Sequence, residues 1–451
     1  MNLLSRLRMR IGDFWWHSLL IFLACRSGDA IQAFIGLWLV PRYVPQSELG
    51  ATLPILQMAS AVGLPLAIFV IPFSRWLTIF SVRNEFGKVK RLMQIAFYGS
   101  GLVCVVMLLA LRYVVPFFFE RLRVAEGALG FLILCVGIST PFSTVFSNAL
   151  QGMKRFKALT IVTTIGAPIR LAVLLVAMPF RALSGYLLGQ LAAPVTTIGV
   201  SWFALRKELG RGVTAVPLGR ADICAMLRYS VPVAINLTVV SLMGAWQMLL
   251  IRQRLTEFDS AAFYMISRLA EVATFVGLSL VTVVFPYVAE AKVKGIESER
   301  LLWKLLGGTF LAGLAVTAIY AIFGRGILSL VPLWSEYASC WPLLALYTLR
   351  QTLSITTSAF LSYETSAGRF SFLWYYVPYL LLETGWLVVC TGYAAFHGIL
   401  PESAVSWLES LHVARLEYFV WWLLACSSTL TLLIGGHLLV RMRKPSHRTD
   451  N

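Results

Sequence analysis

The chain has 451 residues, 58% of them hydrophobic and only 13% charged, and a formal net charge of +17 at pH 7. A soluble domain of this size could not hide so much apolar surface in one core, which excludes an ordinary globular protein and leaves lipid as the solvent. The basic excess sits in short breaks between apolar blocks, the mark of membrane topology and not of a nucleic-acid surface, and strand-type alternation is absent, which excludes a β-barrel.

Apolar blocks of about 20 residues, the length that crosses about 30 Å of hydrocarbon, predict spans at 15–40, 51–73, 92–113, 128–150, 158–179, 183–205, 229–251, 261–287, 303–323, 340–361, 371–394 and 416–440. Arg6, Arg8 and Arg10 precede the first block in the manner of a signal peptide. The block is too long for a leader, holds Arg26 and Asp29 and ends in no small-residue cleavage site, so it reads as a first span. With the N-terminus placed in the cytoplasm, 25 of the 38 Lys and Arg fall in cytoplasmic segments and nine in outer ones. That bias predicts an inner (cell) membrane protein with an even number of spans and both termini cytoplasmic.

The longest internal polar stretch, about 206–227, divides the chain. The expected organisation is an N-terminal six-helix lobe at 1–206, a cytoplasmic linker at 207–227, a C-terminal six-helix lobe at 228–441 and a cytoplasmic tail at 442–451. Matching residues recur at an offset of 211 to 214: Glu48 with Asp259, Pro72 with Pro286, Arg155-Phe156 with Arg369-Phe370. Six spans per half make the repeat parallel, which predicts an all-α polytopic fold of about 12 transmembrane helices in two lobes around a central cavity. The largest outer segment, about 395–415, is expected to form a short helix on the membrane surface, with Trp407 and Leu411 on one face.

Ionisable groups inside spans are the informative residues, because each costs at least about 2.5 kcal/mol near the bilayer centre. They are Arg26 and Asp29 in span one, Arg170 in span five, Arg268 and Glu271 in span eight, Arg350 in span ten and Glu383 in span eleven. Arg26 with Asp29 and Arg268 with Glu271 stand three residues apart on one helical face, where each pair either neutralises itself or serves a ligand. Arg170 and Arg350 have no carboxylate within a turn and need a partner from another helix, Glu383 for instance, or an anionic ligand; the planar guanidinium suits phosphate oxygens in a desolvated cavity. Asp29, Glu271 and Glu383 are the candidates for a coupling proton or Na⁺. The hydroxyl-rich runs 139–148 and 354–362 are expected either to line the cavity or to bond between helices.

Enzyme signatures fail where the sequence offers them. Gly87-Lys88 has no preceding glycine at nucleotide-loop spacing and is followed by Val89, and the five histidines form no HExxH. Seven scattered cysteines show neither CxxC nor metal-ligand spacing, so no cofactor is expected and any energy source is an ion or substrate gradient.

The stretch LIRQRLTEFDSAAFYMISRLAEVATFVGLSLVTVVFPYVAEA (250–291), with Asp259, Ala262, Tyr264 and Pro286, resembles spans seven and eight of the polysaccharide-biosynthesis branch of the multidrug/oligosaccharidyl-lipid/polysaccharide exporter superfamily. LVPRYVPQSELGATLPILQMA (39–59) repeats the theme, and NALQGMKRFKALTIV (148–162) is similar to that family's turn between spans four and five. The resemblance implies alternating access and a flippase for polyprenyl-diphosphate-linked oligosaccharide, with membrane lipids and this lipid-linked sugar as partners and no nucleic acid. On that expectation Arg26, Arg170, Arg268 and Arg350 hold the diphosphate. The peptidoglycan-precursor flippases and the drug/cation antiporters of the same superfamily are the alternatives within transport. A membrane glycosyltransferase or polysaccharide polymerase is the alternative of another class.

Overall fold

The computed structural model describes residues 27–122, 127–153, 155–209, 214–293, 299–366, 369–390 and 416–443. Arg26, the basic N-terminus and the expected surface helix at 395–415 lie outside them.

Each expected span has a helix in its place, and every regular element among the described residues is helical. They are α1 (27–43, with a π turn at Ile35–Leu39), α2 in two pieces (α2a, Thr52–Val62; α2b, Leu64–Val82), α3 (Phe86–Leu122), α4 (Gly127–Gly152), α5 (Phe156–Ala177) and α6 (Ala182–Leu209). The series continues with α7 (Arg220–Arg254), α8 (Glu257–Val293), α9 (Glu299–Leu330), α10 (Trp341–Ser366), α11 (Leu373–Cys390) and α12 (Leu416–Arg443). Eight of these helices are long and apolar enough to cross a membrane among the described residues, so the chain is a multi-pass membrane protein. Prolines stand inside α2b, α4, α5, α6, α7 and α11. In water such prolines would break helices; in a membrane neighbouring helices and local adjustment re-satisfy the freed carbonyls.

The chain divides into two compact units, Met1–Tyr264 and Met265–Asn451, with the division inside α8. In the first unit α4 packs on α2b and α6, α6 on α5, and α7 along both pieces of α2. One core joins the ends of α2b, α4 and α6 to the beginnings of α3 and α5 through Leu77, Phe80, Leu92, Leu150, Val162 and Leu205. The helices therefore run up and down, and the basic turns expected on one side of the membrane gather at one end of this unit. There Lys88 bridges Glu85 and Asp222 at 2.9 Å each, and the Val216 N–H donates to the Gly87 carbonyl at 3.1 Å, seating the 214–219 segment on the start of α3.

In the second unit α10 packs on α9 and α12, around Leu305, Phe360, Tyr363, Phe372 and Ile434. The sequence repeat closes the same turn in both units: the Arg155 N–H donates to the Leu150 carbonyl at 2.8 Å and the Arg369 N–H to the Glu364 carbonyl at 2.9 Å, each five residues back. At the head of α8, Thr256 caps the helix, its hydroxyl accepting from the Asp259 N–H at 3.1 Å and donating to Asp259 Oδ2 at 2.9 Å.

Candidate functional site

In the second unit the intramembrane charges stand on α8, α10 and α11. Arg268 is 6% exposed and its Nη1 donates to both carboxylate oxygens of Glu271, at 2.7 and 2.9 Å. That pair is closed within one turn of α8, one of the two readings their spacing allowed. Arg350 on α10 makes no such pair among the described residues, although a buried Nε with no hydrogen bond is common to it, Arg268 and Arg170. Its guanidinium lies over the ring of Tyr347, 5.5 Å from the centroid, donates to Gln351 Oε1 at 3.4 Å, and leaves its buried Nε without a hydrogen-bond partner.

Arg350 makes no ion pair among the described residues, so the expected cross-helix partner, Glu383, does not neutralise it by direct contact. The two charges nevertheless act on the same three groups, Tyr376, Tyr379 and Cys426. Tyr376, Tyr379 and Glu383 share one face of α11, three and four residues apart, and Glu383 is 8% exposed. Tyr347, beneath Arg350, also lies within electrostatic range of Arg268 and Glu271.

In the first unit Arg170 on α5 donates from Nη1 to Gln190 Oε1 on α6 at 3.2 Å and from Nη2 to Gln32 Oε1 on α1. Asp29 lies one turn before Gln32, and a Cβ on Gly28 would sit 3.8 Å from that of Ala167, so this end of α1 runs beside the turn of α5 that carries Arg170. Just beyond comes the π turn, whose Gly36 carbonyl accepts the buried Tyr264 hydroxyl at 3.0 Å. Single π turns inside α-helices are frequent at functional sites.

The hydroxyl-rich runs satisfy themselves locally: Ser139, Thr140, Ser143, Thr144 and Ser147 donate to carbonyls of their own helix, as do Thr356 and Ser358. Sequence reasoning missed Gln32, Gln190 and the tyrosines around Arg350. Tyr347 stands three residues from Arg350, a spacing that the search for carboxylate partners passed over. Among the described residues no group of three or more His, Cys, Asp or Glu could hold a metal ion. What the arrangement offers is two arginines within helical bundles, one presented on an aromatic ring and one held by amides, a chemistry suited to anions.

Residues 73–292 match the family model described as polysaccharide biosynthesis protein. The fold is shared with an outward-facing multidrug resistance MATE family transporter of the MOP superfamily (TM-score 0.65, 14% identity, 97% of this chain and 98% of that one). It is shared equally with a MOP superfamily transporter from Pyrococcus furiosus described as having reversed binding-pocket polarity (0.64, 14%, 97% of each chain). An inward-facing MATE family transporter gives 0.61 at 15% identity over 95% of this chain and 99% of that one. None of the curated proteins compared matches the chain. The family match contains 148–162 and 250–291, and with the shared fold it bears out the resemblance those residues carry.

Proposed function

We propose that this multi-pass membrane protein, matched over residues 73–292 to the polysaccharide-biosynthesis family and folded like the MOP transporters, is a flippase for polyprenyl-diphosphate-linked oligosaccharide. It works by alternating access from the cytoplasmic to the outer leaflet of the inner membrane, with both termini cytoplasmic and the 207–227 segment linking its lobes. The observation that carries this reading is Arg350. A guanidinium within a helical bundle, set over Tyr347 and making no ion pair among the described residues, is an expensive arrangement that an anionic head group would complete.

Arg170, which donates to the amide oxygens of Gln190 and Gln32, is the corresponding anion-binding group of the first unit, and Arg26 belongs to the same set. Arg268 enters with its charge already balanced by Glu271 and serves as a weaker contact. Glu383, buried and within the field of the Arg350 group, is the best placed of the three carboxylates to take a coupling proton or Na⁺; Asp29 and Glu271 are the others. Two arginines of this kind oppose a cationic drug, since like charges repel in a low-dielectric site.

The test is the leaflet location of lipid-linked sugars in cells depleted of the protein, read by lectin or periplasmic-enzyme accessibility in spheroplasts. Full-length glycolipid is expected to accumulate on the cytoplasmic leaflet. Normal arrival at the outer face with failed polymerisation or attachment would overturn flipping in favour of a membrane glycosyltransferase or polymerase.

A further inference from the structure

A shallow groove of about 190 Å³ opens in the first unit where α2b, α4 and α6 end and α3 begins. Its floor is aromatic. Phe97 and Trp202 stack with ring centroids 5.7 Å apart at 29°, and Phe146 stands edge-on to both, 6.2 and 6.4 Å away. Phe97 and Trp202 remain 41% and 43% exposed, so the packed rings still offer their faces outward.

The polar lining is ordered along α3. Lys90, Gln94 and Phe97 follow at intervals of four and three residues on one helical face, which places an amine nearest the helix start, an amide next and rings beyond. Arg206, one turn past Trp202, adds an exposed cation at the same end. A basic flank leading to an apolar stretch is common to membrane helices, but a helix surface that merely dissolves in lipid needs no concavity lined by stacked rings. This one has that concavity, and cations at its end with rings beyond match an amphiphile with an anionic head and an apolar tail.

We infer that the groove binds a polyprenyl phosphate, its isoprenoid chain across Phe97, Phe146 and Trp202 and its phosphate at Lys90, as a docking site for the lipid carrier separate from the arginine groups. The choice of carrier rests on the flippase reading. The groove's chemistry points the same way: a narrow aromatic strip with Lys90 and Arg206 at one end suits one apolar chain with a compact anionic phosphate better than a two-chain glycerolipid.

The experiment uses the full chain in phosphatidylcholine nanodiscs with benzophenone-tagged undecaprenyl phosphate, followed by peptide mapping of the photolabel. Labelling is expected to concentrate on the peptides holding Phe97 and Trp202 and to be competed by undecaprenyl phosphate but not by equal phosphatidylglycerol. Lys90→Gln should weaken labelling by the phosphate probe roughly 5-fold while leaving a benzophenone-tagged undecaprenol probe unaffected, the loss expected from one surface cation. Trp202→Leu, which keeps an apolar side chain and removes the ring, should lower labelling by both probes.

Label spread evenly over the helices, equal competition by phosphatidylglycerol, or phosphate-probe labelling unchanged in Lys90→Gln would each overturn the site. Because the probe carries no sugar and the readout is binding, normal leaflet distribution in depleted cells alongside intact groove labelling would sink the flippase reading alone. Failed labelling with cytoplasmic glycolipid accumulation would sink the groove alone.

Discussion

Arg350 shows what a residue costs and what it offers. Its guanidinium meets Tyr347 and one distant amide oxygen and makes no ion pair among the described residues, a charge that an anionic ligand would balance. Replacing Arg350 or Arg170 by Ala is therefore expected to cut transport at least 10-fold while the variants still insert and elute as the parent does. Arg350→Lys should restore little, because a compact ammonium neither stacks on Tyr347 nor presents a planar fork to a diphosphate. Flux of lipid-linked sugar in reconstituted vesicles measures both, and parental flux in Arg350→Ala would remove this residue from the site. The Arg268–Glu271 pair was legible from its spacing alone. The Arg350 surroundings were not, since Tyr376, Tyr379 and Cys426 come from helices that no local pattern ties to α10.

At the scale of elements, the helices outrun the apolar blocks that announced them. α3 and α8 each have 37 residues, about 55 Å of helix, well beyond the hydrocarbon thickness. Hydropathy sees only the stretch in lipid, whereas backbone hydrogen bonding continues helices into the polar turns, so span existence was readable and helix ends were not. The break in the second span was also silent in sequence. At Gly63 an added Cβ would stand 2.2 Å from the Gly137 carbonyl oxygen, and one on Gly137 would stand 2.5 Å from that of Ala59, so α2 and α4 touch backbone to backbone. Gly63→Ala should destabilise the protein by about 1–3 kcal/mol, seen as a lower melting temperature in detergent. Gly99→Ala, in α3 with nothing within 4 Å of the added Cβ, should be neutral or slightly stabilising. Equal melting of the two variants would show that the α2–α4 contact yields easily.

For the whole molecule, charge distribution predicts the orientation. On a cysteine-less background, a cysteine at Gln46 should react with a membrane-impermeant maleimide in intact spheroplasts, and one at Ala215 only after permeabilisation; both positions are exposed. The reverse pattern would invert the topology and with it the direction of transport.

The membrane solvent, the series of spans, the internal repeat and the intramembrane charges were determined by the sequence, because hydropathy and charge add up along the chain and need no knowledge of neighbours. The Arg155 and Arg369 turns show how far this reaches, since matching residues close matching hydrogen bonds in both units. Tertiary structure alone decided which charges are balanced and which are not, that Arg170 is met by Gln32 and Gln190, and that Phe97, Phe146 and Trp202 form one surface. Those outcomes depend on how each helix is rotated and which helix lies beside it. In a bilayer that choice rests on close packing and on partners for polar groups, not on hydrophobicity, and so it leaves little trace in a one-dimensional pattern.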